Sequence, residues 1–462
     1  MRDAPDTASA AREWESRSDV LLGLVAALGA LSVFATFYPG YLNGDPTWQL
    51  LTARNHYIDD WHPPVMAFLW GHLDRWVHGA AGMLAIQVAM LWAGFFLVAR
   101  TSFQNPAAAA VALLAAGFWP SVVALTGTIW KDVQYGATMA LTFGLVYHAI
   151  AARSRAWLLA AGPPLLYAVL LRYNGLPAVV PFIAWGFSEA RTMSERRPSL
   201  ARVCASTAAC CVAMILFAVA FNRKIARQQT HTEQHIMLFD LAALSVAQSR
   251  NLLPRYLQDR GITLDEMRRT YSPVSSEPFL WVNPARTRTL DPGELKALSQ
   301  AWRREVLHDP RDYLVHRVRA FASLMGIGRE TVYFPFYDGV PSPDPDLHKL
   351  QADLGVTWQR GDWTLRIERG LHRIQNSLFF RGWFYLAIDL AAAALLWRRA
   401  YRAAGVLGLS GALYLLPYFF VTPTSDFRYA WWGCVAAVLV PIVALGCFIE
   451  RRRNGSRSAA TG

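Results

Sequence analysis

Ten apolar stretches, each close to the roughly 20 residues a helix needs to cross the hydrocarbon of a bilayer, govern what this chain can become. They lie near 20–37, 79–99, 106–125, 133–152, 156–171, 175–190, 203–221, 378–397, 403–421 and 429–449. Hydrocarbon offers no partner to a backbone N–H or C=O, so a stretch of this kind satisfies itself as a helix. The composition agrees: 54% of the residues are hydrophobic and 17% charged, with the charges clustered. The expected fold is an all-α polytopic membrane protein of about ten transmembrane helices. The run at 20–37 has no small-residue cleavage site after it and reads as a retained signal-anchor helix.

Charge placement suggests an orientation. The formal net charge is +12, but the arginines gather between apolar runs, as in RTMSERRPSLAR (191–202), WRRAYR (397–402) and ERRR (450–453). The positive-inside rule accounts for such clusters better than nucleic acid does. Ten helices place Arg2, Arg12 and Arg17, then Arg100, Arg153 and Arg155, and all three clusters on one side. Both termini are therefore expected in the cytoplasm. The five cysteines, Cys204, Cys210, Cys211, Cys434 and Cys447, fall inside apolar runs, so they are expected to pack as small apolar side chains, without a disulfide or zinc framework.

Three regions result: an N-terminal membrane module with seven helices (1–221), a soluble extracytoplasmic insert (222–377) and a C-terminal membrane module with three helices (378–462). The insert reads as mostly helical. Thr263 with Glu266 forms a capping box, and Asp291-Pro292 and Asp309-Pro310 open two further helices. In LVHRVRAFASLMGIG (314–328) apolar residues recur at helical spacing with arginines between them, a pattern suited to a helix on the membrane surface. Residues 331–364 read as irregular.

The face opposite the arginine clusters receives four short polar segments: GDPTWQ…DDWHPP (44–64), WKD (130–132), RYNG (172–175) and TPTSDFRY (422–429). Polar groups at a bilayer edge are costly unless solvated, paired or used, and four converging segments suggest use. Asp45 lies between Gly44 and Pro46 and suits an N-cap for a helix beginning at Thr47. Asp59 and Asp60 precede Trp61-His62-Pro63-Pro64; they suit a solvated loop, a general base or a metal site. The double proline holds His62 at the start of the next helix. Lys131 with Asp132 suits an interfacial ion pair, and Arg172 and Arg428 can snorkel to headgroups. Cations on this face, beside Tyr173 and Asn174 or beside Asp426 and Tyr429, are better matched to an anionic ligand such as a phosphate. HTEQH places His231 and His235 four apart, which reads as a solvated helix face. Asp389, in LAIDLAAAALLW, is a carboxylate amid apolar residues and suits a bond to a neighbouring helix.

In the order YPGYLNGD…DWHPP…WKD…RYNG…DFRY, the chain resembles the GT-C superfamily of integral membrane glycosyltransferases, in particular the protein mannosyltransferase and aminoarabinose transferase type. Asp45 and the element Asp60, His62, Pro63, Pro64 carry the likeness, which covers 20–221 and 422–429. The soluble region lies between the expected seventh and eighth helices. The resemblance implies a GT-C-like fold in a bacterial inner membrane, with its active face outside the cytoplasm. It also implies inverting transfer of a sugar from a polyprenyl-phosphate donor to an envelope glycan, lipid or protein. On that basis Asp45, Asp60 and His62 are expected to be catalytic and Lys131, Arg172 and Arg428 to bind the donor phosphate. Trp48, Gln49, Asp59, Asp132, Tyr173, Asn174, Asp426 and Tyr429 are expected to bind substrate. A divalent cation, Mg²⁺ or Mn²⁺, on Asp45 and Asp60 is compatible with their chemistry. The rival expectation is a transporter or flippase of a lipid-linked sugar, which needs the same phosphate-binding cations.

Overall fold

The computed structural model describes residues 7–193, 199–280, 291–328, 330–340 and 344–460. Part of the arginine cluster at 191–202 lies outside these residues, as does part of the segment 331–364. The described chain is built of helices, and extended backbone occurs only as isolated bridges between loops.

Five described helices are long and apolar enough to cross a membrane: Ser18–Phe37, Ala81–Ser102, Leu200–Ile225, Arg399–Val421 and Phe427–Arg452. A sixth is made by Pro106–Gly117 with Pro120–Thr126, bent by 58° where Pro120 starts a new helix. The other expected stretches are shorter, broken or more polar than their composition implied. Stretch 156–171 divides into Arg155–Ala160 and Gly162–Leu171, where Gly162-Pro163-Pro164 opens the second helix. Stretch 378–397 divides into Leu378–Phe380, Gly382–Ala393 and Ala394–Trp397. Helix Leu176–Thr192 contains Pro181, which removes an interior hydrogen bond.

Helix Lys131–Ala151 has the length of a span but carries Gln134, Thr138 and Thr142, all buried. It stands at the centre of the molecule, against Ala81–Ser102. Gly94 makes that approach possible, because a Cβ there would meet the backbone of Ala140 at 2.5 Å. Small residues that let helix backbones come together are the usual means of tight packing in membranes. By contrast, Ser18–Phe37 and Leu200–Ile225 lie outermost, with only 22% of their apolar windows buried. Their uncovered leucines and valines include Leu24, Leu28, Val212 and Leu216, an apolar surface suited to lipid. Cys204 is exposed on the second of them and Cys434 is buried, so the cysteines do not share one packed environment.

The described residues of the expected insert contribute to two hydrophobic cores. Residues 238–301 bury a small core of their own, including Leu238, Leu241, Leu257, Met267, Phe279 and Leu298. Three expected caps form as read: Thr263 accepts from the Glu266 N–H, Asp291 from Gly293 and Glu294, and Asp309 from Asp312. The later half, including Leu324, Phe336, Val356 and Leu371, joins the main core instead. There Tyr41 Oη donates to Glu368 Oε1 at 2.7 Å and Thr364 Oγ1 donates to Thr36 O at 2.7 Å. Residues 345–353 form a helix inside the stretch expected to be irregular. Helix Pro310–Leu324 carries the expected surface pattern only on one side: Leu314, Val315 and Val318 are exposed, but His316 and Arg317 are buried against Asp240.

Candidate functional site

The four polar segments meet in one recess of about 340 Å³. Each wall is fixed by a different connection. Asp45 is not a cap: the helix Gly44–Arg54 already includes it, and Asn43 stands at the N-cap without a side-chain bond to the helix, its Oδ1 accepting instead from the Trp130 indole at 3.0 Å. In the first turn the carboxylate points away from its own backbone, and Asp45 Oδ2 accepts from Arg428 Nη1 at 2.7 Å. The loop carrying Asp60 and His62 is pinned by the chain just beyond helix Leu200–Ile225. Arg227 N–H donates to Ile58 O, and Asp60 Oδ1 accepts from both the N–H and the hydroxyl of Thr230 at 2.6 and 2.7 Å.

Inside the recess a line of bonded groups runs from Lys131 to Asp426. Lys131 Nζ donates to His62 Nδ1 at 2.7 Å, and His62 Nε2 lies 3.7 Å from Asp45 Oδ1. A lysine ammonium has only donors, so Nδ1 of His62 is the acceptor and its ring proton sits on Nε2, facing Asp45. Arg428 continues the line, its Nε 3.2 Å from Asp426 Oδ2. The Arg428 guanidinium lies over the rings of Trp130 and Tyr429, at 4.9 and 5.0 Å. Arg172 pairs with Asp132, donates to Tyr418 Oη at 2.6 Å and to Asn174 Oδ1 at 3.2 Å, and lies over Tyr429.

The electrostatics follow from burial among cations. Burial alone would raise the Asp45 carboxyl, but Arg428, then His62 and Lys131, hold it far below the ordinary carboxylate range. Burial, reinforced by the Lys131 cation, pushes His62 down to about 3, so it is neutral. Burial and the charge of Arg172 bring Lys131, which precedes the apolar stretch at 133–152, down to about 7. Among the described residues Lys131 has no carboxylate within ion-pair distance, whereas both arginines do. Its point charge is therefore the one left for a ligand.

The structure brings together Asp45, Asp60, His62, Lys131, Arg172, Tyr173, Asn174, Arg428 and Tyr429. It sets the remaining candidates behind the wall. Asp132 and Asp426 back the two arginines; Asp59 accepts from the Trp48 indole at 3.2 Å and from Trp61 N–H; Gln49 is buried below Asp45. These five residues, Trp48 included, do not line the recess.

Sequence reasoning missed the contribution of the insert. Thr232, His235, Ile236, Ser276 and Glu277 form a whole wall. His235 is no solvated helix residue: helix Glu233–Gln248 begins after His231, so the two histidines share no helical face. Burial pushes His235 down to about 4, and its Nε2 meets Ser276 Oγ at 2.8 Å. Nothing in the polar run RQQTHTEQH distinguishes this from solvation, because the neighbour that buries it is some forty residues on. Tyr418 was the more readable omission, standing at the end of the apolar stretch that leads into the polar segment 422–429. Asp389 is buried against Gly411, and among the described residues neither of its carboxylate oxygens has a hydrogen-bond partner on a neighbouring helix or elsewhere.

Of the two carboxylates expected to hold a divalent cation, Asp45 gives one oxygen to Arg428 and Asp60 one oxygen to Thr230. Among the described residues no group of three His, Cys, Asp or Glu side chains is placed to hold a metal ion. No family model matches the chain, nor does any curated protein or solved structure.

Proposed function

We propose that this membrane-embedded helical protein is an inverting glycosyltransferase. In this reading it moves a sugar from a polyprenyl-phosphate donor to an acceptor hydroxyl in the recess, on the non-cytoplasmic face of a bacterial inner membrane. The observation that carries the reading is the recess itself. Lys131, which has no carboxylate partner among the described residues, lines it with Arg172, Arg428, Asp45 and His62, Lys131 bonded to His62 and Arg428 to Asp45, around a space of about 340 Å³. Lys131 would hold the donor phosphate as a point charge, and Arg172 and Arg428 would add donors in fixed orientation.

As the bond from sugar C1 to the phosphate oxygen breaks, negative charge grows on the phosphate, and pre-placed cations stabilise that charge without rearranging. The acceptor oxygen attacks C1 from the opposite face and gives up its proton to a carboxylate. Tyr173 and Tyr429 offer ring faces to the sugar, while Asp45 and His62 fix Arg428 and Lys131. No covalent intermediate or nucleotide is required.

A second reading has one observation in its favour. The partnerless Asp389, packed between Gly382–Ala393 and Arg402–Leu415, is the kind of buried carboxylate that transporters use. A single experiment separates the two. Purified protein in lipid is given a panel of radiolabelled polyprenyl-phosphate sugars, with and without EDTA, beside Asp45→Asn and Arg172→Ala. Donor consumption by wild type that both variants lose establishes transfer. Label that crosses the bilayer without being consumed establishes transport and removes the transferase reading.

A further inference from the structure

Every acidic side chain at the recess is committed to a partner except one. Asp45 is given to Arg428, Asp60 to Thr230, Asp132 to Arg172, and Asp426 to Arg428 and the Thr424 hydroxyl. Glu277 lines the same recess at a solvent-exposed position, and among the described residues its carboxylate has no hydrogen bond or ion pair. Its backbone, in contrast, is firmly placed. Ser276 N–H donates to Pro423 O at 2.9 Å, Ser425 N–H to Val274 O at 2.8 Å, and Glu277 N–H to Ser275 Oγ at 3.2 Å. These bonds tie the insert to the very loop that carries Arg428. A rigid backbone under an unengaged carboxylate is the arrangement expected of a group that acts on a ligand rather than on the fold.

We propose that Glu277, supplied by the insert, is the general base for the acceptor hydroxyl, and that Asp45 is a positioning residue which fixes Arg428 and His62. The proposal rests on the transferase reading. In the step, Glu277 takes the hydroxyl proton, the acceptor oxygen forms its bond to sugar C1, and the bond from C1 to the phosphate oxygen breaks. The electron pair leaves with the polyprenyl phosphate, which departs as a dianion. Charge balances, because one carboxylate and one phosphodiester give one carboxylic acid and one phosphomonoester dianion.

The surroundings suit the role. Glu277 faces Asp426 and Arg428 on the 422–429 segment, Asp45 on the first-loop helix and Tyr333 on the segment 330–340. Glu277 is exposed at the rim of the recess; partial desolvation there, then the like charge of Asp426, raises its carboxyl above the ordinary carboxylate range, the direction that strengthens a base. Asp45 is poorly suited by comparison, since a carboxylate held by an arginine gives up basicity.

The test uses the full-length protein in lipid with a polyprenyl-phosphate sugar that wild type consumes, measuring kcat, donor Kd and the pH profile for Glu277→Gln and Glu277→Asp. Loss of a positioned base costs on the order of 10²–10⁴-fold in kcat. The expected result is a loss of that size in Glu277→Gln with donor Kd unchanged and the acid limb of the profile gone. Glu277→Asp should recover part of the rate with an acid limb still present. Wild-type kcat in Glu277→Gln, or a loss accompanied by weaker donor binding and an unaltered acid limb, overturns the assignment while leaving the transferase reading intact. Wild-type protein that consumes no donor in the panel overturns both.

Discussion

Two arginine–carboxylate pairs invite comparison, because their chemistry is the same and their surroundings are not. In the insert, Arg317 meets Asp240 at 2.6 Å, and both side chains are 0% exposed. Asp240 also accepts from the Trp302 indole at 2.8 Å, and Arg317 reaches across to Thr422 O at 3.2 Å. At the recess, Arg428 meets Asp45 at 2.7 Å, but Asp45 remains 36% exposed. The closed pair has every reason to be structural: charges buried on both sides must match each other or unfold the region. The open pair leaves part of the Asp45 carboxylate exposed at the recess, while Arg428 is buried with its three nitrogens engaged by Asp45, Asp426 and Tyr429.

The largest effect should come from breaking the closed pair on one side only. Arg317→Ala leaves Asp240 buried beside His316, at a cost of about 3–5 kcal/mol, to be read as a lowered unfolding midpoint of the purified protein. The double replacement Arg317→Met with Asp240→Leu should recover most of that loss. An unchanged midpoint in Arg317→Ala would remove the distinction between the two pairs.

Next comes the open pair. Asp45→Asn keeps the shape but releases Arg428, and transfer should fall by about 10²-fold, comparable to the loss of one transition-state donor. Stability should shift far less than in Arg317→Ala. If melting and turnover fell together, Asp45 would be as structural as Asp240.

The third effect is pH dependence of stability. Unfolded histidine takes a proton near 6.5, whereas folded His62 and His235 do so only at about 3 and about 4. Between those values the unfolded chain binds more protons, so stability must fall as pH drops below about 6.5. Replacing His62 with Gln should flatten the acid side of a melting-temperature profile, and an unflattened profile would contradict a buried neutral His62.

The smallest effect sits behind the recess wall. Trp48→Phe removes the 3.2 Å bond to Asp59, worth about 0.5–1.5 kcal/mol. Turnover should stay at the wild-type rate, and a large loss would bring Trp48 into the site.

The recess was legible in the chain wherever a polar group interrupts an apolar run. Lys131, Arg172 and Arg428 are costly at such positions, and their cost is visible without coordinates. Asp132 and Asp426 were equally visible, but nothing local says that a carboxylate faces an arginine's back rather than a ligand. Glu277 and His235 were opaque for the opposite reason: in a polar insert a charged residue is ordinary, and only tertiary contact makes it special. Among the described residues five helices, or six with the bent pair, are long and apolar enough to span, fewer than the ten stretches, because composition ignores breaks such as Gly162-Pro163-Pro164 and because the central helix Lys131–Ala151 carries buried polar residues. The insert was read as one unit because both halves are polar, although only the first has its own core.

Asp45 and Arg428 stand 383 positions apart, and the wall between them is stitched by residues 228–230 and 274–276. A ribosome that has delivered the first loop has therefore not yet made the pair, which can form only once the chain has been extended as far as Arg428. A copy that stops short of that point would keep Asp45, His62 and Lys131 but lack the complete wall formed by Pro423, Thr424, Arg428 and Tyr429.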